Sequence, residues 1–305
     1  MRRRVLVGSR GSALALAQAN EVIKTLREYT PRLSCEVVAI KTGGDKRYES
    51  GESRLEGKSV FTKEIEDSLL NGEIQIAVHS MKDLTTDLPS GLTIAAVPRR
   101  ADHRDALISR NNRKFEELPC GARVGTSSPR RRAQLLAARS DLEVADLHGN
   151  VDTRIRKLDG GSYDAMVLAA AGLVRLGLEK RITEFLSTKV MLPAIGQGAL
   201  AIEARTDDPE TLQLVSRLED KSTHNAVEAE RAFARKLGAN CRTSVAAYAK
   251  VHEGKLVIEG MVSSGDGRML LRGQLVADEA DPQNVGKELA ESLLNKGAQL
   301  MLEAE

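Results

Sequence analysis

The chain has 305 residues, of which 41% are hydrophobic, and this is enough apolar material for about two domains with ordinary buried cores. Lysine and arginine number 45 against 43 aspartate and glutamate residues, so the net charge is only +2, and aromatic residues make up 3% with no tryptophan. A general nucleic-acid coat needs a strong basic excess, and single-stranded nucleic acid is bound on aromatic platforms. The composition therefore argues against both classes, and any anion site must be built locally.

Three cysteines, Cys35, Cys120 and Cys241, are too few and too scattered for a disulfide framework or a paired-cysteine metal site. We therefore expect a reduced, cytoplasmic compartment and no bound metal. The first apolar run stops at Ser9 and Arg10, which is too short for a signal peptide. No uncharged apolar stretch approaches the ~20 residues that span a bilayer, so we expect no membrane segment.

The first two-thirds of the chain alternates short apolar runs, which predict strands, with segments of helical period. Strands are predicted over residues 5–8, 36–41, 74–79, 92–97, 123–126, 142–147 and 163–169. Helices are predicted from Ser12, over 61–71, from Pro129 and near 152–158. This alternation is typical of crossover units and mostly parallel sheets that are covered on both faces.

Beyond about residue 201 the pattern changes. Two helices, over 208–218 and 226–237, precede three segments of period two, over 244–252, 256–263 and 269–276. A long amphipathic helix from about Pro282 to the end closes the chain. The pattern predicts a separate α+β domain, with a three-stranded antiparallel sheet and a helix on one face.

The clearest chemical signal is the segment GTSSPRRR at residues 125–132. A strand is predicted to end there, with a serine suited to the N-cap and a proline suited to the first helical position. Backbone N–H groups, hydroxyls and guanidiniums then converge at a helix N-terminus, which is a ready anion site. Its candidate residues are Thr126, Ser127, Ser128, Arg130 and Arg131.

Two further cations follow strands of the same predicted sheet. HGNVDTR at residues 148–154 brings Arg154 to a helix start, and Arg175 comes after a third strand. Three strand ends then face a common crevice, where ligands of α/β proteins usually bind. A solvated helix face is the alternative, and it suits Arg132, Arg156 and Lys157 better. Because arginine forks pair with carboxylates and no nucleotide-phosphate motif occurs, we favour a polycarboxylate ligand.

Two other segments leave alternatives open. An apolar strand runs into HSMKD at residues 79–83, where Asp83 beside Lys82 fits an acid–base or cation-stabilising group and fits a structural ion pair equally well. His79 is better explained as a satisfied strand residue than as a base. Cys241, on a loop beside Arg242, fits an activated thiolate, but a small buried residue is the simpler interpretation.

Together these segments resemble the porphobilinogen deaminase (hydroxymethylbilane synthase) family over nearly the whole chain. The segments are GSRGSALALAQ, TGGD, AVHSMKDL, DHRDAL, GTSSPRR, HGNVDTR, LAAAGLVRLGL, LPAIGQGALAIE, AERAF and the Cys241 loop. The resemblance implies two α/β lobes like those of type II periplasmic binding proteins and a small α+β C-terminal domain. Carried over, lobe one is 1–98 and 199–216, lobe two is 103–194, and a cofactor-anchoring domain is 220–305.

The family reaction joins four porphobilinogen molecules head to tail with loss of ammonia and then releases hydroxymethylbilane by hydrolysis, in tetrapyrrole and heme biosynthesis. The resemblance implies a dipyrromethane cofactor held by Cys241 through a thioether. It implies Asp83 as the catalytic residue, and we expect a buried carboxylate there that stabilises an azafulvenium cation. We expect a monomer that acts on this small-molecule substrate.

The resemblance also implies ligand-binding residues. Those that bind the cofactor are Arg10, Ser12, Ser80, Lys82, Asp83, Thr126, Ser127, Ser128, Arg130, Arg131, His148, Gly149, Arg154, Arg175 and Cys241. Those that bind the substrate are Arg10, Ser12, Lys58, Phe61, Arg154 and Arg175. His148 stands where the family pattern has arginine, and our hypothesis is that it binds a carboxylate in its protonated form.

A protein of another class on the same fold is the alternative: a binding or effector-sensing module without catalysis. Such a protein would keep the arginines, but it would have no reason to keep an acid at Asp83 or a thiol at Cys241.

Overall fold

The computed structural model of the chain describes residues 4–44, 62–240 and 243–303. Its contacts divide the chain into two compact units. The first consists of Met1–Ala101 and Ala199–His224, and the second of Asp102–Gly198 and Asn225–Glu305. The finer boundaries of lobes and C-terminal domain stay a prediction.

Helices and strands alternate along most of the chain. The helices are α1 Ala13–Tyr29, α2 Lys63–Leu70, α3 Pro129–Ala138, α4 Val151–Asp159, α5 Ala170–Arg175, α6 Pro209–Val215, α7 Lys221–Lys236, α8 Pro282–Asn295 and α9 Gln299–Glu303. The strands are β1 Arg4–Arg10, β2 Ser34–Ile40, β3 Ile76–Ser80, β4 Leu92–Ala96, β5 Asp105–Ser109, β6 Arg123–Gly125, β7 Glu143–Ala145, β8 Ala165–Ala169, β9 Glu184–Phe185, β10 Leu200–Arg205, β11 Val245–His252, β12 Lys255–Ser263 and β13 Leu270–Asp278.

The first unit is built on a five-stranded sheet in the order β2-β1-β3-β10-β4. The pairs β2–β1 and β1–β3 are parallel, whereas β10 is antiparallel to both β3 and β4. Four strands therefore run in one direction, as the alternating pattern predicts, and the fifth returns from more than 100 residues further along the chain. Buried residues of α1, such as Val22 and Leu26, pack on Val5 and Val7 of β1 in the core of this unit.

The second unit repeats this arrangement with its own five-stranded sheet, in the order β7-β6-β8-β5-β9. Here β6 is parallel to β7 and β8, and β5 is the antiparallel strand, between β8 and β9. The carboxyl ends of β6, β7 and β8 consequently lie at one edge of the sheet.

A three-stranded antiparallel sheet, in the order β11-β12-β13, completes the second unit. Helices α7 and α8 cover one of its faces, where Phe233, Leu289 and Leu293 are buried against the strands. With the two larger sheets, this sheet confirms the expected fold class of two α/β lobes and a small α+β domain. The prediction of one helix to the chain end is wrong, because Gly297 has φ +97° and separates α8 from α9.

No helix in the ranges that the structure describes is long and apolar enough to cross a membrane.

Candidate active site

The HSMKD segment of the first unit is a strand end followed by one tight turn. Strand β3 ends at Ser80, and Met81–Asp83 form a single 3₁₀ turn. The Met81 N–H donates to the carbonyl of Ala199 at 3.0 Å, and the Met81 side chain is buried. The backbone bond and the buried side chain fix the turn, while Lys82 and Asp83 are exposed.

Asp83 differs from the expectation in its surroundings. Its side chain is exposed in the protein without bound cofactor or substrate, so the expectation of a buried carboxylate is wrong there. The acid–base and structural-pair interpretations of Lys82 and Asp83 both stay predictions, and the carboxylate is presented at the strand end.

Other candidate residues lie at the same edge, because β1 and β3 are parallel neighbours. Strand β1 ends at Arg10, and Ser12 is the N-cap of α1, where its Oγ accepts from the Ala15 N–H at 3.2 Å. The Gln18 side chain donates through Nε2 to Ser80 Oγ at 2.8 Å and so ties α1 to the end of β3. Gln18 was not predicted from the sequence, because its polar side chain is buried on a helix otherwise packed with apolar residues.

A buried polar pair lies beneath this edge. His79 Nε2 is 3.0 Å from Glu203 Oε2, and both side chains are almost fully buried. His79 is therefore a satisfied strand residue, which the sequence indicated. Burial raises the pKa of the nearby Glu66 carboxyl, and the neighbouring Glu203 raises it further.

In the second unit, the turn between β6 and α3 presents three hydroxyl groups. Thr126 Oγ1 accepts from the Ser128 N–H at 3.2 Å, Ser127 Oγ from the Leu147 N–H at 3.0 Å, and Ser128 Oγ from the Arg131 N–H at 3.4 Å. Each oxygen is thus oriented as an acceptor by the backbone. Because a hydroxyl also carries a proton of its own, all three remain able to donate to an anion.

Arg130 and Arg131 are buried against one carboxylate. Arg130 Nη1 donates to Asp105 Oδ2 at 2.9 Å, and Arg131 donates to Asp105 Oδ1 through Nε at 2.9 Å and through Nη2 at 2.7 Å. Burial alone would raise the pKa of the Asp105 carboxyl, but the charges of the two arginines outweigh it and lower that pKa to about 2. Asp105 is therefore ionised across the neutral range.

Among the residues that the structure describes, this three-residue cluster carries one uncompensated positive charge, because two guanidiniums face a single carboxylate. The side chains of Arg130, Arg131 and Asp105 are 6%, 8% and 0% exposed, so water screens that charge poorly. In the described part of the chain, Arg130 uses only Nη1 for its hydrogen bonds, so its Nε and Nη2 donors remain for a ligand. The cluster is accordingly suited to bind an anion.

The remaining cations of this unit follow β7 and β8. Arg154 Nε donates to the Gly149 carbonyl at 2.7 Å, and Gly149 has φ +117°, which glycine adopts without strain. His148 is half-buried, and its carbonyl accepts from Lys157 Nζ at 3.1 Å. Arg175 is the last residue of α5, where Nη2 donates to the Gly198 carbonyl at 3.4 Å, so a whole helix separates it from the strand end.

Three predicted site residues, Cys241, Lys58 and Phe61, lie outside the described residues. Asp105 is the main residue of the site that was not predicted from the sequence. Its signal was present in the DHRDAL segment, since a carboxylate that begins the apolar strand DALIS needs a buried partner.

Comparison with known protein families shows what the chain is similar to. The sequence model described as "Porphobilinogen deaminase, dipyromethane cofactor binding domain" matches residues 5–213, and that of the "Porphobilinogen deaminase, C-terminal domain" matches residues 224–295. The chain belongs to the porphobilinogen deaminase family. It is therefore a transferase that polymerises porphobilinogen in tetrapyrrole biosynthesis, and the binding-module alternative is wrong.

Relatives match over almost their full length. The porphobilinogen deaminase of Syntrophus aciditrophicus is 47% identical over 97% of this chain and 97% of that protein. That of Desulforudis audaxviator is 50% identical over 98% of this chain and 96% of that protein. An arginine-specific periplasmic binding protein of Salmonella typhimurium is similar at 14% identity and a TM-score of 0.42, over 73% of this chain and 94% of that one. This last likeness is too low to support an argument.

Replacing Asp105 by asparagine should lower the free energy of unfolding at pH 7 by about 3–5 kcal/mol, because two buried guanidiniums lose their counter-charge. The folded-state pKa lies below the ordinary value of ~4, so the pair's contribution is complete above about pH 5 and is lost as the pH falls toward 2. Denaturant unfolding at pH 7 and at stepped pH values from 5 down toward 2 measures both effects.

The matched control is Asp159→Asn, which removes an exposed pair with Arg181 and should cost less than about 1 kcal/mol. Equal losses in the two variants, or an Asp105→Asn protein that keeps the full acid dependence of the wild type, would contradict the assignment.

Proposed function

We propose that Asp83 is the catalytic carboxylate of this transferase. The observation that carries the proposal is its placement: an exposed carboxylate on a turn that is anchored by the Met81 N–H and the buried Met81 side chain. A rigid support with a charged group at its tip is the arrangement that electrostatic catalysis requires. The HSMKD segment, which the family resemblance singles out, supports the same residue.

In the proposed reaction this carboxylate has two functions: it stabilises a positive charge and it accepts a proton. When the carbon–nitrogen bond of the substrate breaks, ammonia takes the bonding electron pair, and positive charge develops on the remaining pyrrole and its methylene. A negative group beside the pyrrole N–H stabilises that charge. When the new carbon–carbon bond forms, the attacked ring must lose a proton, and a carboxylate within reach can accept it.

We propose further that Arg130, Arg131 and the Thr126–Ser128 hydroxyls bind carboxylates of the dipyrromethane, and that Cys241 holds it through a thioether. The support is the uncompensated positive charge of the buried arginine–aspartate cluster and the Arg130 donors that Asp105 does not use. These residues fit an acidic pyrrole chain, because guanidinium forks pair with carboxylates. The bound group supplies the primer to which substrate units are added.

At the edge of the first unit, Arg10, Ser12, Ser80 and Lys82 are proposed to bind cofactor and substrate carboxylates. Their support is the shared edge of β1 and β3 and the orienting bonds of the two serines. His148, Gly149, Arg154 and Arg175 are proposed for the same task in the second unit, and Lys58 and Phe61 for substrate. The few, scattered cysteines support the proposal of a cytoplasmic enzyme, and we propose that it acts as a monomer.

Asp83→Asn keeps the size of the side chain and removes its charge. Since general acid–base catalysis contributes about 10²–10⁴-fold, turnover should fall by that factor while the unfolding midpoint stays close to the wild type. Steady-state kinetics with porphobilinogen measures the first quantity and thermal unfolding the second. Glu73→Gln is the matched control, because it is an exposed carboxylate just before the other end of β3 and should leave turnover unchanged. Near wild-type turnover in Asp83→Asn would rule out the role.

The thioether assignment predicts an intact mass that exceeds the sequence mass by two porphobilinogen units less two ammonia. Cys241→Ala should lack this increment, because it has no thiol to form the bond. Cys35→Ala and Cys120→Ala are the controls, and both should keep the increment. An unmodified mass in wild-type protein that was purified active would contradict the assignment.

A further inference from the structure

The side chain of Gln134, on α3, makes every hydrogen bond that an amide can make. Its Nε2 donates to the carbonyls of Leu192 at 3.0 Å and Arg130 at 3.2 Å. Its Oε1 accepts from the Leu192 N–H at 2.7 Å and from Arg272 Nη2 at 2.9 Å. The side chain is 1% exposed, so each of these bonds is formed out of water. The amide therefore holds the backbone of Leu192 from both its N–H and its carbonyl side.

The Leu192 carbonyl is shared with Arg130. It accepts from Arg130 Nη1 at 2.6 Å, and the same nitrogen donates to Asp105 Oδ2 at 2.9 Å. Both protons of Nη1 are thus used, which leaves the edge formed by Nε and Nη2 as the fork that can pair with a carboxylate. The direction of that fork depends on the position of the Leu192 carbonyl, and Gln134 sets that position.

Arg272, on β13, reaches the same amide from the C-terminal three-stranded sheet. Its Nη1 donates to the Thr188 carbonyl at 3.1 Å and lies 3.5 Å from Glu259 Oε1, but among the described residues its buried Nε has no hydrogen-bond partner. A buried, unpaired N–H is costly, and an apolar side chain of the same length would avoid that cost. The Glu259 pair is long and partly exposed, so it adds little stability, and stability alone does not explain an arginine at this position.

The turn between β12 and β13 contacts α3 at Ala133, the residue just before Gln134. Gly267 has φ +73°, and a Cβ at this residue would lie 2.3 Å from the Ala133 carbonyl oxygen. Only glycine allows this close approach of the turn to the helix. The C-terminal sheet thus contacts α3 at two successive residues, Ala133 and Gln134.

We propose that Gln134 and Arg272 are positioning residues, through which the C-terminal sheet sets the direction of the Arg130 fork. This inference rests on the proposed function, in which Arg130 pairs with a carboxylate of the dipyrromethane. Both residues act through Arg130 and the Leu192 carbonyl, away from the reacting atoms.

The test is a comparison of cofactor-loaded and cofactor-free protein. Ligand binding stabilises the folded state, so the rise in unfolding midpoint from Cys241→Ala to the loaded enzyme measures how well the site holds the cofactor. Gln134→Met and Arg272→Met, each made with and without Cys241→Ala, should show a smaller rise than the wild type. Intact mass confirms that each Cys241 protein is loaded.

Arg268→Met is the matched control, because Arg268 lies in the same β-hairpin, is exposed, and pairs only with Asp266 at the surface within the described chain. It should keep the full rise. A merely structural role of Gln134 or Arg272 would lower the loaded and cofactor-free midpoints equally, leave the rise unchanged, and overturn the proposal.

The loaded variants supply a second readout that does not depend on Cys241→Ala folding. Gln134→Met and Arg272→Met should lose about tenfold in kcat/KM, and neither should lose more when combined with Arg130→Lys, which already removes the fork. Full additivity with Arg130→Lys would overturn the proposal. If Arg130→Lys alone keeps both the midpoint rise and kcat/KM, the assignment of Arg130 to a cofactor carboxylate fails instead.

Discussion

The buried carboxylate of Asp105 is the interaction on which the candidate site of the second unit depends. Two adjacent arginines cannot both be buried without a counter-charge, and Asp105 provides it with three hydrogen bonds of 2.7–2.9 Å. One carboxylate neutralises only one of the two guanidinium charges. The cluster is therefore stable when buried and can still attract an anion. Because the guanidiniums are already oriented, binding a carboxylate costs little further ordering of these side chains.

Polar groups are positioned by the same arrangement in both units. Parallel strands end at one edge, and a serine at the N-cap of the following helix, Ser12 or Ser128, is oriented there by its own helix. Each sheet also contains one strand antiparallel to its parallel strands, and in the first unit that strand comes from a distant part of the chain. In the first unit this strand is β10, and the residue just before it, Ala199, accepts the hydrogen bond that fixes the turn of Asp83. The position of Asp83 thus depends on the return of the chain to the first sheet.

Local signals in the sequence predicted the local structure well. The N-caps at Ser12 and Ser128 and the three C-terminal strands follow from side-chain chemistry within a few residues, and the structure confirms them. Contacts between distant residues were not predictable in this way. The bonds from Asp105 to Arg130, 25 residues apart, and from Gln134 to Arg272, 138 apart, carry no periodic signal. Strand β10 was missed because its apolar run alone does not reveal a partner at β3.

The prediction that Asp83 is buried was wrong for a related reason. A buried strand predicts buried neighbours, but a single 3₁₀ turn after Ser80 is enough to bring the next charged residues out to solvent. The proposed roles of Asp83 and Cys241 came from the family resemblance, since spacing alone left both open. Sequence chemistry and resemblance thus contributed different parts: the first predicted an anion site, and the second predicted which ligand it would bind.

The central claim is that the excess positive charge of Arg130, Arg131 and Asp105 serves to bind a carboxylate of a bound dipyrromethane. A crystal structure of the purified, active enzyme tests it most directly. The account predicts electron density continuous with Cys241 Sγ, and a carboxylate of that group within hydrogen-bond distance of Nε or Nη2 of Arg130. Density for the cofactor whose carboxylates all contact other residues, with Arg130 bound only to Asp105, Leu192 and water, would contradict it.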